Sequence, residues 1–392
     1  MQHDLIIIGA GPAGCSAALE ALSRNLSVIL LERRALPRHK TCGGGVPVAA
    51  AALLPEVDIE QACEARLRFM RHTFRFGSPY CWPVSADPED ASLDVLSVTR
   101  SRFDLLLAEA AAARGADLRT EARAVALEEG AEGVSVTVSH SGWQDRLAAR
   151  YAICADGAVG PSSRWAGRTN RASAIAMEVE VPIDWRSAPE LLSRQTMHLE
   201  FGSVPNGYAW AFPKADCVNV GAGFFAPGAN AHGSATVARL RQVIAETCRH
   251  LGLPHDPAAA TFHSHPIPLW QADAPLVSRG SRILHAGDAA TLVNPLFGDG
   301  ILHALRSGRM AAAAVASGAT SGYAADVRRI FGGPFSGARR ISGVFYRFPE
   351  RCYHAGVVRP GATVMAARML AGESLYGQAW GKVLARLRWT RG

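Results

Sequence analysis

The apolar positions near the N-terminus follow two patterns that alternate. Leu5 to Ile8 and Val28 to Leu31 are short unbroken apolar runs, which are typical of strands buried on both faces of a parallel sheet. The alanine-rich residues 12 to 23 between them predict a helix. A second alanine-rich segment, which opens with Val98 to Asp104 and continues to about Ala113, has apolar positions at helical spacing and ends before Gly115, a helix C-cap residue. This order of elements predicts an α/β fold with a Rossmann-type domain.

Alternating apolar and polar positions predict a different kind of sheet further along the chain. Residues 118–128, 133–140 and 145–154 are predicted to form a meander of strands. After about residue 172 the alternation continues in four further strands, and such a sheet has one face free to cover a ligand. These four are Ser173 to Val181, Gln195 to Phe201, Gly207 to Phe212 and Cys217 to Phe225.

The remaining segments of the chain show several different patterns. Residues 48–76 combine helical and strand signals, and residues 233–251 predict a helix. Arg282 to Asp288 returns to the buried-strand type, and the rest of the chain reads as helix with glycine breaks.

These patterns predict a domain organisation with a discontinuous first domain. Residues 1–75, 98–170 and 278–325 are predicted to form the Rossmann-type domain. Residues 76–97 and 171–277 are predicted to form a mostly antiparallel substrate domain, and residues 326–392 a short helical C-terminal region.

Composition restricts the class of protein. The 392 residues are 48% hydrophobic and 19% charged, which indicates a soluble globular protein. The apolar runs are shorter than the roughly 18 residues of a membrane span. No basic segment precedes the first apolar run, so no signal peptide is expected. The eight cysteines contain no C-x-x-C pair or metal-type spacing, which predicts reduced thiols in the cytoplasm and no metal site.

The net charge of +7 bears on possible partners. Part of the excess lies in the C-terminal tail, where six cations face a single acid, Glu373. This tail is interpreted either as a solvated helix face or as a surface for peripheral contact with an anionic membrane or a partner protein. No nucleic-acid module is recognisable. The cations are Arg359, Arg368, Lys382, Arg386, Arg388 and Arg391.

The first loop carries a dinucleotide-binding pattern. Gly9, Gly11 and Gly14 have the G-x-G-x-x-G spacing directly after the first strand. We expect them to make the tight turn, to admit a pyrophosphate and to let the helix pack on the strand. The helix N-terminus, which includes Pro12 and Ala13, would face the phosphates, and Glu32 at the end of the second strand can accept hydrogen bonds from a ribose. The sequence therefore predicts a dinucleotide site here.

A second glycine-rich loop follows at once. Three successive glycines, Gly43 to Gly45, stand between Pro37 and Pro47, and the segment is interpreted as a loop that approaches a ligand closely. Its cations, among them Arg33 and Lys40, would lie near the phosphates.

Three more motifs, in order along the chain, accompany the first fingerprint. They are Asp156-Gly157, Gly287-Asp288 and the turn from Asn294 to Gly300. Together the four segments resemble FAD-dependent oxidoreductases with the glutathione-reductase or para-hydroxybenzoate-hydroxylase type of fold. The resemblance implies FAD as the cofactor, Asp288 on its ribitol, and N–H groups of the turn beside the isoalloxazine ring. The implied cofactor-binding residues are Gly9, Gly11, Pro12, Ala13, Gly14, Glu32, Arg33, Lys40, Gly43, Gly44, Arg100, Asp156, Gly157, Gly287, Asp288, Pro295, Gly298 and Gly300.

Two motifs narrow the resemblance to the geranylgeranyl reductase group. Pro37 to Gly45 is similar to its P-x-x-x-x-C-G-G-G signature, and Tyr208 to Lys214 is similar to its Y-x-W-x-F-P-K motif. Gly372 to Tyr376 resembles a short C-terminal motif of the same reductases. The strand alternation places Tyr208, Trp210 and Phe212 on one face, as a wall for an apolar substrate or, alternatively, as ordinary core.

This resemblance gives candidate roles to individual residues. Tyr208, Trp210 and Cys42 are the catalytic candidates, Cys42 either as a proton relay or as an inert buried thiol. The substrate candidates are Phe212, Gly45 and Val46.

The resemblance implies reduction of a carbon–carbon double bond in an isoprenoid or other apolar substrate, with hydride from reduced FAD. A single G-x-G-x-x-G leaves NAD(P)H, bound transiently, or reduced ferredoxin as the electron donor. Two alternatives stay open: a monooxygenase acting on an aromatic substrate, free or carrier-bound, and a flavin-binding protein without turnover. The expected location is cytoplasmic, with peripheral membrane contact as an open alternative.

Overall fold

A computed structural model describes residues 3–140, 142–167, 174–225, 233–254 and 260–389. The strands are β1 (His3–Ile8), β2 (Val28–Leu31), β3 (Gly45–Pro47), β4 (Cys63–Leu67), β5 (Phe69–Phe74), β6 (Gly77–Pro83), β7 (Val95–Val98), β8 (Asp117–Arg119), β9 (Arg123–Glu129), β10 (Val134–His140), β11 (Trp143–Cys154), β12 (Ala174–Pro182), β13 (Thr196–Phe201), β14 (Gly207–Pro213), β15 (Cys217–Phe224), β16 (His263–Ile267) and β17 (Ile283–His285).

In the described ranges, one α-helix follows the first strand, three lie in the middle of the chain, and five follow the last strand. The α-helices are α1 (Pro12–Ser23), α2 (Arg100–Ala113), α3 (Ser162–Trp165), α4 (Ser234–His250), α5 (Ile301–Ala316), α6 (Tyr323–Arg347), α7 (Pro349–Cys352), α8 (Pro360–Leu370) and α9 (Tyr376–Trp389). Short 3-10 turns at Val48–Leu53, Ile59–Ala62, Trp185–Ser187, Gly287–Ala290 and Thr320–Gly322, and a π-helical turn at Tyr353–Val357, complete the set.

The first sheet has the order β8-β2-β1-β11-β10-β9, with β17 added beside β11. The pairs β1–β2, β1–β11, β2–β8 and β11–β17 are parallel, whereas β9, β10 and the first half of β11 form the predicted antiparallel meander. Because α1 and α5 cover one face and the meander covers the other, residues 5–8 of β1 and all of β2 are apolar. The carboxyl ends of the parallel strands lie along one edge of this sheet, and the glycine turns that follow these strands meet at that edge.

One strand of this sheet differs from the prediction. Residues 118–128 were expected to be continuous, but the structure divides them into β8 and β9. Glu121, between the two, has a left-handed backbone (φ 54°). The break is needed because β8 extends the parallel sheet beside β2 whereas β9 turns back into the meander.

The second sheet has the order β16-β12-β15-β14-β13-β5-β6. Its strand pairs are antiparallel except for β13–β5, which is parallel. The partner of β13 therefore comes from residues 69–74, which the sequence assigned to the first domain. The domain boundary predicted at residue 75 therefore falls within the β5–β6 hairpin. Strand β5 belongs to the second sheet, where Met70 is buried with the aligned Met197 of β13.

A small third sheet, β3-β7-β4, lies below the glycine-rich loop. The segment from Arg33 to Pro47 was expected to be loop throughout, yet Gly45–Pro47 pairs with Val95–Ser97 as a strand. Glycine and proline are tolerated because β3 is a short edge strand.

The C-terminal helices close the structure over the second sheet. Helix α5 packs on α1, α6 packs on α9, and α8 contacts β6. Ala367 of α8 is buried with Met70 and Met197. Within the described part of the chain, no helix combines the length and apolarity that a membrane crossing requires.

Candidate active site

One cavity of about 790 Å³ extends from the glycine turns of the parallel sheet to the C-terminal helices. Its size is within the roughly 300–1,000 Å³ of small-molecule and cofactor sites. Residues from Ile8 to Lys382 contribute to its wall, so the cavity joins all three sheets and the C-terminal region.

The turn after β1 is shaped by its glycines. Gly9 has φ 106°, and a Cβ atom there would lie 2.4 Å from the Ala155 carbonyl oxygen. A Cβ on Gly14 would lie 1.8 Å from the Gly9 carbonyl oxygen, so only glycine lets α1 pack so closely on β1. Above Gly11, by contrast, the nearest atom to such a Cβ is a guanidinium nitrogen of Arg38 at 3.8 Å. The turn therefore leaves room for a phosphate group at the N-terminus of α1, which fits FAD.

A buried ion network supports this turn. Arg38 pairs with Glu32 through Nε at 3.0 Å and with Asp104 at 2.9 Å, and it donates to the Ala10 carbonyl at 3.3 Å. Arg100 binds both oxygens of Asp104, at 2.8 and 2.9 Å. Burial lowers the Arg100 pKa, but the Asp104 charge outweighs this and leaves the pKa raised. Glu32 borders the cavity and has acceptor capacity left for a ribose, although Arg38 and the Arg34 N–H already use both oxygens.

The two acidic motifs occupy neighbouring turns and differ in their contacts. Asp156, after β11, accepts hydrogen bonds from the backbone N–H and hydroxyl of Ser162 and so caps α3. Burial raises the Asp156 pKa. Asp288, in the 3-10 turn after β17, borders the cavity near Lys40. Burial lowers the Lys40 pKa, and the negative charge of Asp288 opposes that change.

The turn before α5 is fixed by hydrogen bonds from two distant segments. The Tyr208 hydroxyl of β14 donates to the Phe297 carbonyl. The Asn294 side-chain amide bonds the Tyr376 hydroxyl at 2.8 Å. Gly300 caps the 16-residue helix α5 without a side-chain hydrogen bond, so its N-terminus and positive dipole end face the cavity.

The glycine-rich loop lies against the aromatic wall. A Cβ on Gly43 would be 3.0 Å from the Phe212 ring and 3.1 Å from Trp210 Nε1. The Cys42 N–H donates to Glu178 at 2.9 Å, and the Gly44 N–H donates to the Cys42 sulfur at 3.4 Å. Below the loop, Lys214 donates to the Val98 carbonyl at 2.6 Å. The loop therefore separates the charged network from the apolar part of the cavity.

The apolar part of the cavity begins at β14 and continues under the C-terminal helices. Tyr208 packs on Trp210 and on Phe225, with ring centroids 6.2 and 5.4 Å apart, and Phe225 stacks on Tyr346 of α6. Burial raises the pKa of the Tyr208 phenol, so it stays protonated. Further apolar lining comes from β5, β13, α6 and α8, including Met70, Met197, Leu199, Ile341, Val344, Phe345, Met365 and Met369.

The cavity brings most of the predicted site residues together. The residues that line it are Gly9, Gly11, Pro12, Ala13, Glu32, Arg33, Lys40, Cys42, Gly43, Gly44, Gly45, Arg100, Asp156, Gly157, Tyr208, Trp210, Phe212, Asp288, Gly298 and Gly300.

Four predicted residues lie behind the wall instead. Gly14 packs on the Gly9 carbonyl, Gly287 packs against Ala13 and Ala304, and Pro295 is buried. Val46 is fully buried in the core because alternation along β3 directs it away from the cavity, whereas Gly45 and Pro47 border it. The prediction that Val46 contacts substrate therefore needs correction.

The sequence reasoning missed several polar residues of the site. Arg38 and Asp104 complete the ion network, Glu178 holds the Cys42 loop, and His265 of β16 borders the cavity. Burial is the main reason that the His265 pKa falls to about 3, with Lys40 and Arg100 adding to the effect. These residues carry no local signal, apart from the two charged residues Glu178 and Glu180 inside a mostly apolar strand.

The FAD binding domain family matches residues 2–320, more than three quarters of the chain. The chain therefore belongs to this family of flavoproteins, in agreement with the room left at the glycine turn.

Relatives of the chain narrow its type. The menaquinone reductase of Mycolicibacterium smegmatis is 29% identical, over 87% of this chain and 84% of the relative. Digeranylgeranylglycerophospholipid reductase 2 of Methanosphaera stadtmanae is 30% identical, over 79% and 76% respectively. The chain is an FAD-dependent oxidoreductase of the geranylgeranyl reductase type.

A solved structure agrees in fold. A geranylgeranyl bacteriochlorophyll reductase-like protein from Thermoplasma acidophilum superposes with a TM-score of 0.76, covering 98% of this chain and 95% of the other at 19% identity. This similarity extends through the C-terminal helices beyond residue 320, where the FAD family match ends.

Proposed function

We propose that this protein reduces carbon–carbon double bonds in the isoprenoid chain of a lipid or quinone. The observation that carries the proposal is one continuous cavity, in which the glycine turns open directly into the apolar part, or chamber, that β14 and the C-terminal helices line. Both named relatives are reductases whose substrates belong to the isoprenoid class, which supports the same class here.

The residues of the chain have separate roles in this reaction. Bound FAD, once reduced, supplies the hydride. The N-termini of α1 and α5 and the charged side chains around Lys40 hold the phosphates and the ring. Tyr208 and Trp210 orient the alkene, and the C-terminal helices exclude water from the chamber.

The chamber determines which double bonds can react. Its apolar lining, from Met197 to Met369, is continuous with the aromatic wall. A flexible isoprenoid chain can therefore lie along this lining in more than one position and bring different double bonds to the flavin. We infer that NAD(P)H, bound transiently, or reduced ferredoxin supplies the electrons.

Anaerobic turnover of the purified yellow holoprotein tests this function. The bound FAD is reduced with dithionite, and geranylgeraniol or an unsaturated menaquinone is added. We expect flavin reoxidation together with a product in which each saturated double bond has gained two hydrogens, measured by mass spectrometry.

Two other results would contradict the reductase. A hydroxylated product that forms only with oxygen would identify a monooxygenase. Reduced flavin that no acceptor reoxidises would identify a binding protein without turnover.

The mouth of the cavity supports contact with a membrane surface. Arg351, Arg359 and Lys382 are exposed and border the cavity. Two exposed rings lie on adjoining segments, Trp82 on β6 and Phe348 directly before α7. Cations combined with aromatic side chains suit an anionic lipid interface. Of the other tail cations, Arg368 pairs with Glu373, and Arg386, Arg388 and Arg391 lie outside the side chains that the structure describes.

Vesicle binding tests this contact. Sedimentation with vesicles containing phosphatidylserine is expected for the native protein and to be lost in an Arg351→Glu/Arg359→Glu variant. Equal sedimentation of both proteins would contradict it. Reversing Arg329, an exposed cation of α6 outside the cavity lining, is the matched control.

A further inference from the structure

Glu178 is a buried carboxylate just outside the cavity lining. It lies on β12 with 1% of its surface exposed. Its Oε2 accepts the Cys42 N–H at 2.9 Å and the side-chain amide of Asn219 at 3.1 Å. Burying a carboxylate costs free energy unless it is hydrogen-bonded, and these two hydrogen bonds meet that requirement. A carboxylate held in this way is expected to have a role in the surrounding structure.

Asn219 extends the contact to the opposite wall. It is fully buried on β15, and its Oδ1 accepts the Trp210 indole N–H at 2.9 Å. Glu178 thus joins a loop of the first sheet region to a ring of the second sheet through one intermediate side chain.

The distances around Gly43 show why this connection matters. The loop passes so close to Trp210 and Phe212 that a single added carbon at Gly43 would be 3.0–3.1 Å from both rings. Such close packing leaves the loop little freedom to shift without moving the wall. A hydrogen bond at Cys42 and another at Trp210 fix the two sides of this contact relative to each other.

We propose that Glu178 is a positioning residue, which sets the spacing between the Cys42 loop and Trp210 through its hydrogen bonds to Cys42 and Asn219. This proposal rests on the proposed function in one respect: it takes the cavity beside this contact to be the place where reduction occurs. Glu178 acts through Cys42 and Trp210 and does not touch substrate.

Several charged and titratable groups surround Glu178. His39 Nε2 lies 3.7 Å from Oε1, and His39 stacks on His263, the cross-strand neighbour of Glu178. Lys214 and Glu180 act from a greater distance. Burial is the largest cause of a Glu178 pKa raised to about 7, opposed by the bonds from Asn219 and Cys42.

Amide hydrogen exchange of the holoprotein tests the proposal without any substrate. Glu178→Ala removes the acceptor of the Cys42 N–H, and we expect exchange in a peptide covering residues 38–46 to accelerate about tenfold or more. Glu178→Gln keeps an oxygen that can accept from both Cys42 and Asn219, so we expect it to restore protection. Glu180→Gln, an exposed position on the same strand, is the matched control and should exchange like the native protein.

Turnover and the absorption of bound FAD provide the second measurement. We expect Glu178→Ala to alter the flavin spectrum and lower kcat about 10- to 100-fold, with Glu178→Gln close to native. Unchanged exchange and unchanged flavin absorption in Glu178→Ala would overturn the proposal, as would a Glu178→Gln variant that exchanges as fast as Glu178→Ala. If no acceptor is reduced by the native protein, the proposed function fails, while exchange and absorption still decide the role of Glu178.

Discussion

The two ends of the cavity are built in different ways. At the parallel-sheet end, backbone conformation defines the surface: Gly9 and Gly44 have positive φ, and Gly14 contacts the Gly9 carbonyl. At the far end, side-chain volume defines it, through Tyr208, Phe345 and the residues of α8. A surface made of backbone can hold one cofactor and changes little with sequence. A surface made of side chains can be altered residue by residue, which suits a substrate site.

The largest expected effect lies at the backbone-defined end. Gly14→Ala would place a methyl group 1.8 Å from the Gly9 carbonyl oxygen. Because this overlap involves backbone, we expect a loss of at least about 4 kcal/mol in the free energy of unfolding, together with loss of FAD. Denaturant unfolding and flavin absorbance measure both. Gly377→Ala in α9, where a Cβ meets nothing within 4 Å, should keep both unchanged or gain slightly in stability.

The next effect tests the ion network of the same end. Asp104 is fully buried between Arg38 and Arg100, so Asp104→Asn leaves Arg100 without its charge partner and Arg38 with Glu32 alone. We expect about 3–5 kcal/mol of destabilisation and weaker FAD binding. Asp117→Asn, which breaks a partly exposed pair with Arg119, should change stability by less than about 1 kcal/mol. Similar losses in both variants would show that the network has no special role.

Stability should also depend on pH through Glu178. Burial raises its pKa to about 7 in the folded protein, so the folded state binds this proton more tightly than the unfolded state. The resulting stabilisation is complete below the ordinary pKa of 4.5 and is lost as pH rises through about 7. It amounts to about 3 kcal/mol.

Unfolding by urea at pH 5 and pH 8 measures this dependence. Glu178→Gln cannot titrate, so its stability should fall less between the two pH values than that of the native protein, whereas exposed Glu180→Gln should behave like native. A native protein and Glu178→Gln with the same pH dependence would contradict the prediction.

A smaller effect should show that the substrate end of the cavity can be altered without altering the cofactor end. Ala366 of α8 borders the chamber, and Ala366→Phe fills part of it. We expect KM for a long isoprenoid to rise about tenfold relative to a short one, which is about 1.4 kcal/mol, with FAD affinity unchanged. Val364→Phe, on the same helix and outside the cavity lining, is the control. A change in FAD affinity would show that the two ends are not independent.

The smallest effect concerns the bond that links the ends. Tyr376→Phe removes the hydroxyl that bonds Asn294 and leaves a buried amide unpaired, at about 1–2 kcal/mol. Thermal unfolding should detect it. Tyr80→Phe is the control, because the Tyr80 hydroxyl makes no hydrogen bond among the residues that the structure describes.

The contrast between the ends also explains what could be predicted from the sequence. The turn from Gly9 to Gly14 could be predicted because its shape depends on residues within one local motif. The pairing of β5 with β13 was not, because residues 69–74 and 196–201 carry no local signal of their partner. Glu178 and His265 were missed for the same reason: the role of each exists only through contacts across the fold.

The length of chain that surrounds the cavity has a consequence for assembly. Residues as far apart as Ile8 and Lys382 border the same space, so this space forms only after the segments between them have folded and docked. Such long-range closure slows folding. The parallel sheet, the second sheet and the last helices together form the wall of this space. The lifetime of the protein should therefore depend on the supply of FAD, since ligand binding stabilises the folded chain by mass action.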